Sequence, residues 1–506
     1  MRLPAACALA VALAAGSCTT QPSAGPGSGH ASPAVAPRPQ GPAPSSQVRP
    51  EAETGPGPQR RTEPLVLVTH TTRPPLDVFE EVGLRIIRGD MATWAELGVP
   101  GTAGVGPEPG RGPTRLRVVS APGTRAPERL EVASARAALR AVVRDRDTVG
   151  IVPAGAVGPG VRPMRVNGFD PMREPGRYPI RAPLPARSGD RGPVVTMTVV
   201  GDIMLGRGVA RSARGHGVAP ALAPTRRRLA AADITVGNLE STLSRAGTPM
   251  QGGDSFAADP GVVRGLLASG FDVLGLANNH VGDFGDRALV QTLRRLRSAG
   301  LATFGAGSDP RQARSPALLG RRGTTYGFLG FNAIGETPAV APGRPGAVQV
   351  SMPPRTGPLD RAELARFLRS VRRLDRAVDV VVVLPHWGTQ YTNRPEPVQR
   401  RVARRVVAAG ADLVVGGHPH WVQGVQMVDG VLVAHSLGNF VFDMDFMQET
   451  REGLILELTF WGAELKAARF VPYLIDDTFA PRVVTYRRGL DVLWRMRATS
   501  GVTHRG

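Results

Sequence analysis

From residue 194 onward, short apolar runs alternate with amphipathic segments. Seven of the runs have the length and the branched side chains of buried strands. They are VVTMTVV (194–200), ITVGN (234–238), DVLGLAN (272–278), TYGFLGF (325–331), DVVVVLP (379–385), DLVVGG (412–417) and VLVAHS (431–436). Strands that alternate with helices are typical of a largely parallel sheet covered on both faces, so the pattern predicts an α/β fold.

Capping signals indicate where the helices between these strands begin and end. Asp259 followed by Pro260 predicts a helix start, and Gly270 predicts its end. Asp360 and Glu363 have the spacing of a capping box ahead of LARFLRSVRRL. Two further helices are each predicted to bury one apolar face, formed by Leu289, Leu293 and Leu296 in the first and by Val398, Val402 and Val406 in the second.

The first residues have the features of an export signal. Arg2 precedes an apolar stretch, residues 3–15, that is too short to span a membrane as a mature helix, and small residues then lead to Cys18. This arrangement resembles a bacterial lipoprotein signal, although Ala15 stands where a larger aliphatic residue is usual. We expect residues 1–18 to be a lipoprotein-type signal peptide, with Cys18 lipidated and the protein on the outer face of the cell membrane. If Cys18 is not lipidated, the protein is expected to be secreted.

Composition divides the rest of the chain. Residues 19–64 are rich in Pro, Gly, Ser and Ala and are expected to form a disordered tether. Residues 65–190 contain short strands, and IIRGDMATWAELG, VGIVPAGAV and RVNGFDPMREPGRYPI resemble parts of a phosphate-type periplasmic binding protein. A generic small α/β domain is the alternative, and a ligand for it stays open. Residues 194–475 form the second predicted domain, and 476–506 are treated as a C-terminal tail.

The charge is strongly positive and comes almost wholly from arginine. The formal net charge is +20, and Lys466 is the only lysine. Abundant Arg, Ala, Gly and Pro are typical of a GC-rich genome, and attraction to an anionic partner is the alternative interpretation. The arginines are spread along the sequence without interleaved aromatic residues, which argues against a nucleic-acid surface. Because Cys7 lies in the predicted signal peptide, no internal disulfide is expected.

Polar side chains collect where the predicted strands of the second domain end. They are Asp202, Asn238, Glu240, Asn278, Asn279, His280, His386, His418, His420, His435, Ser436 and Asn439. Because parallel strands end at one edge of a sheet, these residues are predicted to share a site. An extended His418-Pro419-His420 would place both imidazoles on the same side of the backbone, and Gly416 and Gly417 would permit a close approach. Neutral imidazoles beside carboxylates suit a divalent transition metal such as Mn, Zn or Fe.

Six segments, in this order, resemble the poly-γ-glutamate capsule biosynthesis family of the CapA type. They are VGDIMLG (200–206), GNLESTL (237–243), ANNHVGDFG (277–285), PHWGTQY (385–391), GGHPHWVQG (416–424) and HSLGNFVFD (435–443). The resemblance covers about residues 194–475. That family is similar to the calcineurin-like metallophosphoesterases, which implies a four-layer α/β sandwich of two sheets flanked by helices, with one or two metal ions.

The resemblance also implies roles for individual residues. It implies metal ligands at Asp202, Glu240, Asn279, His386, His418 and His420. It implies a catalytic role for His280 as a general acid or electrostatic partner, with Asp283 either orienting His280 or serving as a turn residue. Substrate contacts are expected from Asn238, Trp387, Trp421 and Asn439. Ser436 is expected to pack in its loop, because no nucleophile motif surrounds it.

Two departures from the phosphoesterase pattern bear on the metal site. The Asp-x-His motif of the first strand is absent, because Ile203 and Met204 follow Asp202. The second motif reads Asn-Leu-Glu at residues 238–240 in place of Gly-Asp. A reduced set of ligands could leave one metal, weak binding or none.

The sequence therefore leaves three hypotheses for function. The first is an exported metal-dependent hydrolase or transferase that acts on a phosphoester or amide of an anionic envelope polymer such as poly-γ-glutamate. The second is a lipid-anchored, non-catalytic subunit that assists synthesis, export or attachment of such a polymer, with a membrane-embedded synthase as partner. The third is solute binding by residues 65–190. Nucleic acid is not expected as a partner.

Overall fold

A computed structural model describes residues 62–71, 73–97, 115–124, 131–183, 191–213 and 219–500. The predicted signal peptide with Cys18 and nearly all of the predicted tether lie outside these residues. Among the described helices, none combines the length and apolar character that crossing a membrane requires.

The N-terminal domain is a small sheet with one helix on each face. Its elements are β1 (Thr62–His70), β2 (Asp77–Val78), α1 (Glu80–Arg88), β3 (Arg117–Ser120), α2 (Ala135–Arg144), β4 (Thr148–Pro153), β5 (Val161–Pro163), β6 (Arg165–Val166) and β7 (Arg181–Pro183). The strand order is β3-β4-β1-β5, β7 also pairs with β1, and β2 pairs with β6. Leu65 and Leu67 of β1 pack toward α1, while Val66 and Val68 pack toward α2. Burial on both faces explains the continuous apolar run of β1.

The larger domain contains sixteen further strands and nine further helices among the described residues. The strands are β8 (Val194–Ile203), β9 (Ile234–Leu239), β10 (Val273–Gly275), β11 (Ala302–Phe304), β12 (Ala306–Gly307), β13 (Ala317–Arg321), β14 (Thr324–Asn332), β15 (Gly346–Ala347), β16 (Val380–His386), β17 (Leu413–Val415), β18 (Val425–Val428), β19 (Val431–Ala434), β20 (Asn439–Val441), β21 (Glu452–Trp461), β22 (Glu464–Ile475) and β23 (Pro481–Val483). The helices are α3 (Arg207–Ser212), α4 (Ala219–Leu222), α5 (Arg226–Ala230), α6 (Val262–Ala268), α7 (Gly285–Ser298), α8 (Pro310–Arg314), α9 (Arg361–Asp375), α10 (Pro397–Val407) and α11 (Leu490–Ala498).

These strands form two main sheets with parallel centres. The first has the order β11-β10-β9-β8-β21-β22-β23, with β8 to β11 parallel and β20 paired to the end of β8. The second has the order β13-β14-β16-β17-β19-β18, with β14, β16, β17 and β19 parallel. Antiparallel strands extend both sheets: β21 to β23 in the first, and β13 and β18 at the edges of the second.

The two sheets face each other and are covered by helices on their outer sides. Between the sheets, Val195 and Met197 of β8 lie in one apolar cluster with Tyr326 and Phe328 of β14. Helices α6 and α7 pack on the outer face of the first sheet, and α9 and α10 pack on that of the second. The result is a four-layer α/β sandwich, which confirms the predicted fold class.

The predicted elements agree with the structure, apart from details at two helix starts. The seven predicted strands correspond to β8, β9, β10, β14, β16, β17 and β19. The Asp360 carboxylate accepts hydrogen bonds from the first turn of α9, as predicted. Glu363 instead accepts from the Ser351 backbone N–H, so the predicted capping box is not formed. Helix α6 begins at Val262, because Asp259 forms a turn with Gly261 before it.

Two regions outside the sandwich are joined to it by buried contacts. Trp461 of β21 belongs to an apolar cluster of the N-terminal domain and donates to the Met172 carbonyl at 2.7 Å. The segment after residue 475, treated as a tail in the sequence analysis, contains β23 and α11. Val492 and Leu493 of α11 are buried in the cluster between the two sheets. Both regions are therefore packed against the sandwich.

Candidate functional site

The candidate site lies where parallel strands of both sheets end. Asp202 is the second-last residue of β8, and His386 is the last residue of β16. A contact of 2.8 Å between His386 Nε2 and Asn279 Oδ1 joins the second sheet to the loop after β10. The His418 backbone N–H donates to Asp202 Oδ2 at 3.0 Å. The two sheets therefore contribute jointly to one buried polar cluster.

Three residues of the cluster form a group that could hold a metal ion. Asp202, Glu240 and His386 each offer one ligand atom, and these atoms lie within 4.8 Å of one another. All three side chains are buried. His386 Nε2 lies 3.5 Å from Glu240 Oε1. Mixed nitrogen and oxygen donors of this kind suit a divalent transition metal.

The Asn238 carboxamide nitrogen lies in the middle of this group. It is 2.8 Å from Asp202 Oδ1, 2.9 Å from Glu240 Oε1 and 3.2 Å from His386 Nδ1. A carboxamide has two N–H hydrogens, so it cannot donate fully to three acceptors. Three acceptors that converge on one point are the arrangement that a cation satisfies.

Several buried polar atoms beside the group have no hydrogen-bond partner among the described residues. They are Glu240 Oε2 and both ring nitrogens of His418. The His418 ring centroid is 5.0 Å from that of His386 and 5.7 Å from that of His420. Because buried polar groups are nearly always satisfied, unpaired lone pairs here are a sign of a ligand position. The residues present therefore fit a metal ion.

The sequence analysis assumed that the loop from His418 to His420 is extended. In the structure this loop is not extended. His418 and His420 have φ angles of 93° and 59°, in the left-handed region that non-glycine residues rarely adopt. A Cβ at Gly417 would overlap the Asp202 carboxylate, and one at Gly416 would overlap the His435 carbonyl. The two glycines thus permit the predicted close approach, but a tight left-handed turn, rather than strand alternation, brings the imidazoles together.

His280 has a fixed partner on its other side. Its Nδ1 donates to Asp283 Oδ2 at 2.9 Å, and its ring stacks on Phe256 with centroids 3.8 Å apart. Asp283 also accepts from the Phe256 backbone N–H and from the Gln251 side chain. The Asp283 backbone N–H also donates to the His280 carbonyl at 3.3 Å, so Asp283 both contacts the ring and lies in the turn that follows it. Nε2 is the ring nitrogen that Asp283 does not contact.

Burial controls the protonation of the group. It raises the pKa of Asp202 and, together with the negative charge of Asp202, raises that of Glu240 well above its usual value. Burial lowers the pKa of His386 and His418 well below the ordinary value, and that of His420 to about 4. The three imidazoles are thus neutral at pH 7, the form in which histidine binds metals. A cation would offset the cost of two buried carboxylates.

Two residues expected to contact the substrate have other positions. Asn439 is fully buried; its Oδ1 contacts His420 Nδ1 at 2.8 Å and its Nδ2 donates to the Thr450 carbonyl. Trp387 is also fully buried and donates to the His435 carbonyl at 3.1 Å. Asn439 therefore positions His420, and Trp387 belongs to the core. Their predicted contacts with a substrate stay predictions.

The remaining predicted residues lie in or beside the cluster. Asn279 Oδ1 is in contact with His386, so this amide oxygen is near the metal group. Trp421 follows His420, and its indole N–H has no partner among the described residues. The role of Trp421 as a substrate contact stays a prediction. The Ser436 hydroxyl accepts from the Gly438 backbone N–H, in keeping with a role in loop packing.

The sequence analysis did not identify two arginine–carboxylate pairs that lie near the site. Glu336, with a φ of 62°, accepts from Asn279 Nδ2 at 2.5 Å and pairs with Arg355. Arg207 lies over the Phe256 ring at 4.5 Å and pairs with Asp443. No motif marks Glu336 or Arg355 in the sequence. Arg207 directly follows the motif VGDIMLG, and Asp443 ends the motif HSLGNFVFD, so their positions in the sequence could have indicated this pair.

Fold and site together define the class of protein. A four-layer α/β sandwich with carboxylate and imidazole groups at the joint edge of its sheets has the features of the calcineurin-like class. Residues 196–444 match the model of the family described as bacterial capsule synthesis protein PGA_cap. The chain belongs to this family.

The chain is also similar in sequence to two CapA proteins from Bacillus. The chain is 30% identical over 279 residues to "Capsule biosynthesis protein CapA" of Bacillus anthracis, covering 54% of this chain and 65% of the relative. It is 30% identical over 268 residues to "PGA biosynthesis protein CapA" of Bacillus subtilis, covering 52% of this chain and 67% of the relative. The match to the B. anthracis protein thus falls just short of two thirds of its length.

A solved structure of "a novel phosphatase" from Mycoplasma pneumoniae is a more distant match. It is 9% identical, with a TM-score of 0.36, and the match covers 59% of this chain and 97% of the other. At this level of similarity it adds nothing to what the two sequence relatives show.

Proposed function

We propose that this protein is an exported, metal-dependent hydrolase of the phosphoesterase type, which acts in the biosynthesis or attachment of an anionic envelope polymer. The observation that carries the proposal is the buried group of Asp202, Glu240 and His386, beside which His418 has two unpaired ring nitrogens. We assign one divalent ion, Mn, Zn or Fe, to this group, with His418 and Asn279 as further ligands and His420 next to them.

The residues of the chain have separate tasks in such a reaction. A divalent ion held by Asp202, Glu240 and His386 would supply Lewis-acid chemistry and would activate water near neutral pH. Asp283 accepts from Nδ1 of His280, so the imidazolium form of His280 has its second proton on Nε2, from which it can protonate the leaving oxygen. Arg207 and Arg355 lie near the site, and their charges are paired with Asp443 and Glu336.

The family and the N-terminal sequence support proposals for the polymer and for the location. The name of the B. subtilis relative, a PGA biosynthesis protein, supports a poly-γ-glutamate-like polymer as substrate. We propose that a lipid on Cys18 anchors the protein at the outer face of the cell membrane, near a membrane-embedded polymer synthase. The bond that is cleaved is a phosphoester or an amide of the polymer.

Metal analysis of the purified protein tests the proposal. We expect close to one equivalent of transition metal and hydrolysis of a model phosphodiester, both lost in Asp202→Ala and His418→Ala. Trp421→Ala serves as a control that alters the surroundings of the loop but leaves the metal content unchanged. Wild-type protein that holds no metal after reconstitution with Mn, Zn and Fe in turn would contradict the proposal.

A second candidate function is a non-catalytic subunit that binds the polymer or assists its export. The reduced ligand set favours it, because Ile203 and Met204 follow Asp202 in place of the Asp-x-His motif and residues 238–240 read Asn-Leu-Glu. Cells that carry Asp202→Ala and His420→Ala distinguish the two functions. Unchanged polymer output supports the non-catalytic subunit, and lost output with normal protein level supports the hydrolase.

A further inference from the structure

A cleft rich in arginine lies on the second sheet, away from the candidate metal group. It has a volume of about 710 Å³ and is bounded by α8, the edge strand β13 and α9. Five arginines line it: Arg311 and Arg314 of α8, and Arg366, Arg369 and Arg373 of α9. Leu318, Leu329 and Leu374 contribute apolar surface between them. The cleft therefore combines a cationic rim with an apolar floor.

The arginines meet because of helix geometry and tertiary packing. Arg366, Arg369 and Arg373 are spaced i, i+3 and i+7, so they share one face of α9. The opposite face of α9 is buried through Leu364, Phe367, Leu368 and Val371. Helix α8 brings Arg311 and Arg314 from some fifty residues earlier in the chain to the same cleft. Arginines that are scattered in the sequence are thus concentrated in the structure.

The positive charge of the cleft is poorly compensated by the protein. Arg311, Arg314, Arg369 and Arg373 form no ion pair with any described residue, and no acidic side chain lines the cleft. Arg366 has Glu363 at 4.0 Å, and Asp309 at the start of α8 interacts electrostatically with Arg311. Nearby arginines behave differently: Arg321 and Arg322 of the adjoining hairpin pair with Asp272 and Asp233 at 2.8 Å. Four arginines of the cleft therefore have no ion pair, whereas both arginines of the adjoining hairpin are paired.

The cleft is connected to the site through α9. The segment before α9 carries Arg355, which pairs with Glu336, and Glu336 in turn accepts from Asn279 at the site. From there α9 runs for 15 residues, about 22 Å, past the three arginines of its exposed face. A smaller cavity of about 90 Å³ adjoins the cleft and shares Arg314, Arg366 and Leu329 with it. An extended chain lying in the cleft would thus point along α9 toward the site.

We propose that this cleft binds an extended polycarboxylate chain, the anionic polymer of the proposed function, and holds it on the enzyme. Guanidinium groups bind carboxylates through paired hydrogen bonds, and the apolar floor suits the methylene groups between them. Charge complementarity decides the occupant, because five arginines without acidic neighbours in the lining repel a basic partner and attract an anionic one. The inference rests on the proposed function for the identity of the polymer but not for the existence of the cleft.

Binding of fluorescent poly-γ-glutamate to the full chain, measured by anisotropy in EDTA, tests the inference without any hydrolysis. The variant Arg366→Gln/Arg369→Gln/Arg373→Gln is expected to bind about tenfold more weakly than wild type. The matched control is Arg361→Gln/Arg372→Gln/Arg376→Gln, which removes three charges from exposed positions of the same region outside the cleft. We expect the control to change affinity by less than about twofold.

Equal losses in both triple variants would overturn the proposal, because binding would then depend on net charge alone. Competition by duplex DNA or by anionic vesicles at equal charge concentration, as strong as that by the polymer, would also overturn it. Thermal unfolding of each variant checks that the fold is retained. A protein that binds the polymer in the cleft but hydrolyses nothing would contradict the proposed hydrolase and leave this inference standing.

Discussion

Asp283 contacts Nδ1 of His280, and Asp283→Asn tests the catalytic role proposed for His280. An amide can face His280 with either its oxygen or its N–H, so the ring loses its single tautomer and orientation. We expect phosphodiester hydrolysis to fall by about 100-fold with unchanged metal content. His280→Gln should be at least as impaired.

Asp286, on the exposed first turn of α7, provides the control for this change. Asp286→Asn should retain wild-type hydrolysis. If Asp283→Asn lost metal in parallel with activity, Asp283 would act on the metal group and not through His280.

His435 gives a pH prediction that is independent of the metal group. Burial lowers its pKa to about 3, so in the folded protein it stays neutral where an unfolded histidine, with a pKa near 6.5, takes up a proton. Its contribution is therefore complete above about pH 6.5 and is lost as the pH falls from there toward 3. The loss is about 1.4 kcal/mol per pH unit in the free energy of unfolding.

Denaturant unfolding of wild type and His435→Gln between pH 4.5 and 7.5, in EDTA, measures this contribution. We expect the free energy of unfolding of the variant to depend less steeply on pH, with about one proton fewer taken up on unfolding than in the wild type. Identical slopes would mean that His435 is protonated in the folded protein.

At the scale of elements, α10 is tied to the histidine loop by one buried side chain. Gln399 Oε1 accepts from the Glu396 backbone N–H at 2.7 Å, and its Nε2 donates to Gln423 Oε1 at 3.2 Å. Gln423 follows His420 by three residues and donates to the Thr392 carbonyl. The start of α10 and the loop that carries the histidines are thus held together.

Gln399→Met keeps the volume but leaves the Glu396 N–H and the Gln423 oxygen without partners. We expect the free energy of unfolding to fall by about 2 kcal/mol, and metal affinity to fall as the loop loosens. Arg401→Met, on the exposed face of α10, should change stability by less than about 0.5 kcal/mol. Equal effects of the two substitutions in chemical denaturation would refute the role of Gln399.

Across the whole molecule, the N-terminal domain is joined to the sandwich by a charge network around Glu457. This carboxylate, 5% exposed, pairs with Arg173 of the N-terminal domain, Arg228 of α5 and Arg469 of β22. Lys466 donates to the Gly155 carbonyl at 2.8 Å beside it. These contacts make the two regions stabilise each other.

Glu457→Gln leaves three guanidinium groups without their shared counter-charge. We expect it to destabilise the protein by roughly 3 kcal/mol, reduced somewhat by the partial exposure of the arginines. Asp477→Asn removes a carboxylate, 93% exposed, that pairs with Arg451 and should have little effect. A two-step unfolding curve for Glu457→Gln, with one transition for each region, would show that this network couples them.

Local patterns along the chain were enough to predict the strands of the sandwich and the polar residues at their ends. Apolar periodicity, helix caps and strand ends are short-range properties, so the seven strands, the buried faces of α7 and α10 and the cluster of Asp202, Glu240 and His386 could be predicted. The position of polar residues directly after parallel strands places them together for geometric reasons that hold in any such sheet.

Which groups face each other across the two sheets depends instead on the tertiary structure. It turned the His418–His420 loop left-handed, gave Asn439 and Trp387 buried partners, and brought Glu336 next to Asn279. It also gathered the arginines of α8 and α9 into one cleft. These contacts join residues far apart in the chain, and their choice depends on how whole layers pack, which no local pattern of residues encodes.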